Sequence, residues 1–190
     1  MQRYRDGDVR AFELLYARHK GPLYRYFVRQ AGAIAAEELF QDVWMNLIRA
    51  RVRYEARAKF TTWLYRLAHN RLIDHYRRTH AALPLSYSDD PEESLLDNLP
   101  DAPMYEPDRA LDRGRLAQRL VRALEQLPEA QREAFLLREE GGLSLDEIAA
   151  ATEVNLETAK SRLRYALAKL RAALKADVDA PRHGAREVGR

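Results

Sequence analysis

Leu39, Phe40, Val43, Trp44, Leu47 and Ile48 recur at steps of three and four residues. That spacing puts them on one face of a helix from about residue 35 to 53. A second apolar stripe, Phe60, Trp63, Leu64, Leu67, Ala68 and Leu72, predicts another helix after a short loop. Upstream, Phe12, Leu15, Tyr16, Leu23 and Phe27 mark a further helical stretch. Gly21-Pro22 inside it predicts a kink or a division, because proline lacks the donor amide and its ring clashes with the preceding turn. Three or four helices around one core are expected here. Farther along, Leu116, Leu120, Leu124 and Leu127 begin a second set. Pro128 then stands where a new helix would start, a place where its missing amide costs nothing. That helix should reach about Arg138 and end at Gly141-Gly142. Ser144 with Glu147 three residues on forms a capping box opening the short helix SLDEIAAAT. After a turn, Asn155 is placed to cap a last helix through Leu174. No apolar-polar alternation bounded by turn residues occurs, so strands are not expected.

Between the two helical sets, residues 81–115 hold Pro84, Pro91, Pro100 and Pro107 and no helical stripe. A segment of that length reads as a linker. The organisation expected is therefore all-α: a helical domain at 1–80, a flexible linker at 81–115, a smaller helical domain at 116–175, and a tail at 176–190.

Charge sharpens this picture. The overall balance is +3, but residues 1–80 carry 16 basic against 8 acidic side chains, and the linker carries 3 against 9. A basic half next to an acidic tether points to a polyanion partner, with a solvated charged face as the alternative. The chain has no cysteine, and its five histidines offer no i, i+4 pair. No disulfide framework, metal site or cofactor is expected. No apolar run approaches the ~20 residues that cross a bilayer, and the start MQRYRDGDVR lacks the apolar stretch of a secretion signal. A cytoplasmic protein without membrane insertion is expected. An enzyme is not: there is no phosphate-binding glycine loop and no nucleophile elbow, and Asp74-His75 is an isolated pair.

Two short helices around a tight turn, with Ala149, Val154 and Ala159 at packing positions, carry a helix-turn-helix signature. The exposed face of the second helix offers Thr158, Lys160, Ser161, Arg162, Arg164 and Tyr165 to phosphates and base edges. An ordinary helical hairpin with a charged surface is the alternative. In the first domain, RAKFTTWLYRLAHNRLIDHYRR (57–78) interleaves aromatic and basic residues. Such a surface suits unpaired bases, which stack on aromatic rings while their phosphates meet cations. Phe60, Trp63 and Leu64 are also spaced like core residues. Nothing in the pattern of Tyr54 to Lys59 demands burial.

The runs AAEELFQDVWMNLIRAR, FTTWLYRLAHNRLIDHYRR and LPEAQREAFLLREEGGLSLDEIAAATEVNLETAKSRLRYALAKLR together resemble regions two and four of the extracytoplasmic-function sigma factors. The likeness spans nearly all of the chain outside the linker and tail. It implies a subunit that binds core RNA polymerase through the beta-prime clamp and the beta flap, recognises promoter DNA and promotes strand opening, under the control of an anti-sigma factor. By that resemblance Glu38, Leu39, Gln41 and Asp42 lie on the helix that docks on the clamp. Tyr54, Arg57, Lys59, Phe60 and Thr61 match the pocket for a base flipped from the minus-ten element. Arg66, Asn70, Arg71, Arg77 and Arg78 lie where the family holds the melted strand. Arg138, Lys160, Ser161, Arg164 and Tyr165 match positions that read the minus-thirty-five element as duplex, with Thr158 and Arg162 beside them. Glu153 and Glu157 depart from the pattern, standing where glycine is common. A left-handed Glu153 would cost ~1 kcal/mol, and a carboxylate at Glu157 would repel a nearby phosphate. Two other readings remain at this point: a conventional helix-turn-helix regulator acting without polymerase, and a mimic that only occupies an anti-sigma factor.

Overall fold

The computed structural model describes residues 1–79 and 110–176, and every regular element among them is helical. The expected linker lies outside the described residues as far as 109, and so does the tail beyond 176. The first module comprises α1 (Gln2–Arg5), α2 (Val9–Arg49), a 3-10 turn (Arg51–Arg53) and α3 (Phe60–Thr79). The second comprises α4 (Ala110–Glu125), α5 (Glu129–Glu139), α6 (Leu145–Thr152) and α7 (Leu156–Ala176).

Local chemistry sets the helix starts. Asp8 Oδ1 accepts from the Ala11 amide at 3.1 Å and opens α2. Ser144 and Glu147 form the reciprocal capping box of α6, with bonds of 3.3 and 2.9 Å. Asn155 Oδ1 accepts from the Thr158 amide at 2.7 Å at the head of α7. Each side-chain oxygen satisfies an amide that the helix leaves without a partner.

Two features differ from expectation. α4 begins at Ala110, inside the segment assigned to the linker; the last linker proline is Pro107, so no missing amide opposes a helix beyond it. The break in α2 falls at Gly32 (φ 80°, ψ 165°), not at Gly21-Pro22. Pro22 forfeits one amide bond, yet Leu23, Tyr26 and Phe27 beside it are fully buried, and their packing outweighs that loss. At Gly32 the backbone enters a region that only glycine populates freely. The two arms of α2 then run antiparallel: Tyr24 meets Phe40 at 5.7 Å, Tyr16 meets Trp44 at 4.9 Å, and Phe12 meets Trp44 at 5.9 Å.

The first core consists of Leu23, Tyr26, Phe27, Ala36, Leu39, Val43 and Leu47 from α2 against Leu64, Tyr65, Ala68 and Leu72 from α3. That core does not stop at the module boundary. Leu136, Leu137, Leu143, Ile148, Ala151 and Ala159 of the second module belong to the same cluster, with α3 packed on α6 and α2 on α5. A smaller cluster, Leu124 and Leu127 with Ala166 and Leu170, ties α4 to α7. Gly141 lies against Tyr65 of the first module. A Cβ there would lie 2.7 Å from the Leu137 carbonyl oxygen and 2.9 Å from Tyr65 Cε2, so only glycine fits.

Candidate nucleic-acid interface

The loop before α3 is less open than its sequence suggests. Tyr54 is buried, its ring edge-on to Trp63 at 4.9 Å, and its carbonyl accepts from Arg5 Nη1 at 3.3 Å. The expectation that nothing buries this loop therefore fails at Tyr54, because Trp63 supplies an aromatic partner one element away. Arg57 and Lys59 remain exposed, and Arg57 pairs with Glu55 at 2.6 Å. The three apolar residues opening α3 separate cleanly: Leu64 is fully buried, whereas Phe60 and Trp63 are half-buried, as is Thr61. A cavity of about 430 Å³ opens beside them, lined by Arg53, Tyr54, Arg57, Thr62, Trp63 and Arg66, with Ala150 of α6 on one wall. The Thr62 hydroxyl is buried with no hydrogen-bond partner. Aromatic rings, guanidinium groups and a spare hydroxyl suit a flat heteroaromatic ligand with a phosphate beside it.

Lys59, Arg66, Asn70 and Arg77 follow one another at steps of seven, four and seven residues, which keeps them on one exposed face. Arg71 is half-buried and lies 3.5 Å from Asp74, and Arg78 is exposed, 4.0 Å from Glu38. On the second arm of α2, Glu38 and Gln41 are exposed and Asp42 is half-buried. Leu39, at 1% exposure, points into the core and supports this face from behind instead of lying on it. Met45 and Ile48, 47% and 39% exposed, continue the Glu38-Gln41 stripe at helical spacing. Sequence periodicity assigns Ile48 to the core; the structure leaves it at the surface beside Met45.

In the second module Ala159 is fully buried, Ala149 nearly so and Val154 half-buried, which fixes the angle between α6 and α7. Lys160 and Arg164 are exposed on α7; Thr158, Ser161, Arg162 and Tyr165 are half-buried beside them. Arg164 lies over the Tyr165 ring at 5.0 Å. Ser161 Oγ donates to the Thr158 carbonyl at 3.0 Å. Glu157 sits 3.9 Å from Lys160 and shares the exposed end of the helix. Arg138 is exposed as a residue, but its Nη1 donates to the Leu143 carbonyl at 3.0 Å and braces the turn before α6. Glu153 adopts the left-handed conformation (φ 57°, ψ 36°) at the C-cap of α6, as its place in the turn implies.

The seam between modules carries chemistry that the sequence pattern does not announce. Glu133, 1% exposed, accepts from Tyr26 Oη at 2.6 Å and lies 2.8 Å from His69 Nδ1. With the carboxylate ionised, Nδ1 is the donor. Arg132 Nε donates to Gln30 Oε1 at 3.0 Å. Glu140 receives both Arg25 (2.8 Å) and Arg29 (2.6 Å). Lys59 reaches Glu147 at 3.0 Å and Arg66 reaches Glu153 at 2.6 Å. In each of these ion pairs the cation belongs to the first module and the carboxylate to the second. The Ser144 backbone amide, and then Lys59, hold the Glu147 carboxyl below its ordinary value. Burial pushes the Tyr65 hydroxyl well up. One signal was present in the sequence: Glu133 lies next to Ala134 and one turn before Leu137, a carboxylate at a core position of α5.

A family model for Sigma-70 region 2 matches residues 15–81, and one for Sigma-70, region 4 matches residues 117–170. The chain is similar to the RNA polymerase sigma factor CarQ of Myxococcus xanthus, 33% identical over 90% of this chain and 93% of that one. It is similar to the ECF RNA polymerase sigma factor RpoE of Cereibacter sphaeroides, 37% identical over 86% of each. Among solved structures, CnrH in complex with the cytosolic domain of CnrY superposes with a TM-score of 0.62 at 25% identity, covering 91% of this chain and 93% of that one. RpoE of Bartonella quintana, in complex with the anti-sigma factor NepR, shares the fold with a TM-score of 0.65 at 24% identity, over 89% and 99%.

Proposed function

The chain belongs to the sigma-70 family as an extracytoplasmic-function RNA polymerase sigma factor, and from that premise we infer how its surfaces divide the work of starting transcription. It binds core RNA polymerase, recognises promoter DNA and promotes strand opening. The observation that carries this is the pair of family regions, in order, spanning two helical modules of the matching fold. It favours the sigma reading over a conventional helix-turn-helix regulator, since region 2 has no use in a protein that works without polymerase. Sigma factors are non-catalytic initiation factors, and this chain acts as a subunit that confers specificity, working in the cytoplasm where polymerase works. No described helix is long and apolar enough to cross a membrane.

The second arm of α2 docks on the beta-prime clamp through Glu38, Gln41 and Asp42. Carboxylates there complement a basic helical partner and fix orientation, while Met45 and Ile48 supply apolar contact. The cavity beside Tyr54 and Trp63 receives a base flipped from the minus-ten element. Arg57 and Lys59 at its mouth, with Arg66, Asn70, Arg71, Arg77 and Arg78 along α3, hold the strand's phosphates. Capture of the extruded base offsets the few kcal/mol of unstacking, so opening proceeds without ATP. On α7, Lys160, Ser161, Arg164 and Tyr165, flanked by Thr158 and Arg162, read the minus-thirty-five duplex, and Arg138 supports the turn that aims them. The region 4 module meets the beta flap. The relative CnrH is solved in complex with the cytosolic domain of CnrY; by analogy an anti-sigma factor controls this chain.

In vitro transcription with core polymerase on a genomic fragment library tests the reading. Initiation at sites sharing a pair of spaced motifs is the expected result. Tight binding to duplex DNA without polymerase, with no initiation when polymerase is added, would overturn it in favour of a conventional regulator.

A further inference from the structure

Two of the four cations paired with the second module, Lys59 and Arg66, are also cations of the single-strand surface. Arg66 lines the cavity and Lys59 follows its lining residue Ala58, and in this structure each ends on a carboxylate of the helix-turn-helix: Glu147 at 3.0 Å and Glu153 at 2.6 Å. Ala150 of α6 walls the cavity between those two residues. Glu153 is the only non-glycine residue with positive φ among the described residues, at the cap position where glycine costs least. A side chain kept in a strained conformation calls for a role at that position, and the carboxylate of Glu153 reaches across the seam to Arg66. These two surface pairs contribute little stability by themselves. The continuous core and the bonds to Glu133 and Glu140 hold the modules together; the surface pairs decide what the docked module covers.

We propose that α6 is an internal competitor for the melted strand. Glu147 and Glu153 take the places of two backbone phosphates on Lys59 and Arg66, and Ala150 of α6 forms one wall of the base cavity, so strand capture along these cations requires the modules to part. The proposal rests on the assignment of that face to the minus-ten strand. It makes the chain's own second module the occupant of this surface until polymerase separates the two. It also gives the departure from glycine at position 153 a physical purpose.

The test uses the full chain and a short fluorescein-labelled single-stranded DNA of mixed sequence. Glu153→Gly removes the carboxylate and relieves the backbone. Glu147→Gln keeps the capping-box acceptor while losing the charge. Glu140→Gln loosens the seam through Arg25 and Arg29, away from the cavity. Because the chain has no cysteine, Ile34→Cys and Val121→Cys, both exposed, provide unique sites for a spin-label distance measurement across the modules. The expected result is at least threefold tighter oligonucleotide binding in both the E147Q/E153G double variant and E140Q, with a longer, broader distance in E140Q. If E140Q lengthens the distance while affinity stays at the wild-type value, or if the folded double variant binds no more tightly, internal competition is overturned. Transcription with core polymerase, run in parallel, separates this from the functional reading. Failure of the wild type to initiate removes the sigma assignment itself, whereas initiation with unchanged oligonucleotide affinity removes only the competition.

Discussion

Replacing Glu133 by alanine should uncouple the two modules. The carboxylate is 1% exposed and is the shared acceptor for Tyr26 Oη at 2.6 Å and His69 Nδ1 at 2.8 Å, both from the first module. A hydrogen bond to a charged group contributes about 1.5–3 kcal/mol net. Losing two predicts a cost of about 3–6 kcal/mol, which overlaps the roughly 3–5 kcal/mol found when a buried charge pair loses one member. Glu133→Gln keeps an acceptor without the charge and should cost less than half of that. Urea denaturation followed by two signals reads the effect. Both tryptophans, Trp44 and Trp63, lie in the first module, so fluorescence reports that module while far-UV circular dichroism reports all helices. In the wild type the two transitions coincide, because one core spans both modules. In Glu133→Ala the fluorescence transition separates from the rest. A cost under ~1 kcal/mol with coincident transitions would show that the seam is held by apolar packing alone and that this reasoning is wrong.

Three further outcomes follow from the same geometry. Gly141→Ala should destabilise by about 1–3 kcal/mol in thermal or urea melts, since its new methyl group meets a backbone oxygen and the Tyr65 ring inside van der Waals distance. His19 is held below its ordinary value of 6.5 by burial, with Arg18 adding to it; the native state then binds fewer protons than the unfolded chain, so stability declines as pH falls below 6.5 and levels off beneath the folded value. His19→Gln should flatten that part of a melting-temperature profile, and an unchanged slope would assign it to another group. Lys160→Ala and Arg164→Ala should weaken promoter-duplex binding by the polymerase complex and lower its logarithmic salt slope by about 0.9 for each phosphate no longer neutralised, whereas substitutions at Arg57 and Lys59 should reduce permanganate reactivity of the opened strand more than binding; equal effects of both sets would count against the division of labour.

Most of the helical architecture was legible because it depends on local chemistry. The stripes of α2 and α3, the Ser144-Glu147 box and the Asn155 cap are each written within a few neighbouring residues. What escaped depends on partners distant in sequence. Pro22 lies within an unbroken helical arm because Leu23, Tyr26 and Phe27 find a core that no window around residue 22 reveals, while the turn went to Gly32, where only tertiary pairing of the α2 arms demands it. Tyr54 is buried by Trp63, and Leu39 belongs to the core even though it shares a helix with the exposed Glu38 and Gln41. The seam was least visible of all: Tyr26 and Glu133 are 107 positions apart, and nothing near either residue announces the other.

The one-way polarity of the seam's four ion pairs, cations from the first module and carboxylates from the second, also bears on how the molecule responds to ionic strength. Added salt screens the attraction between strand and protein, but it equally relaxes the internal pairs that compete with the strand. The two effects oppose each other in the free chain. Its apparent sensitivity to salt should therefore be shallower than the number of phosphates it neutralises would give, and it should steepen once polymerase holds the modules apart.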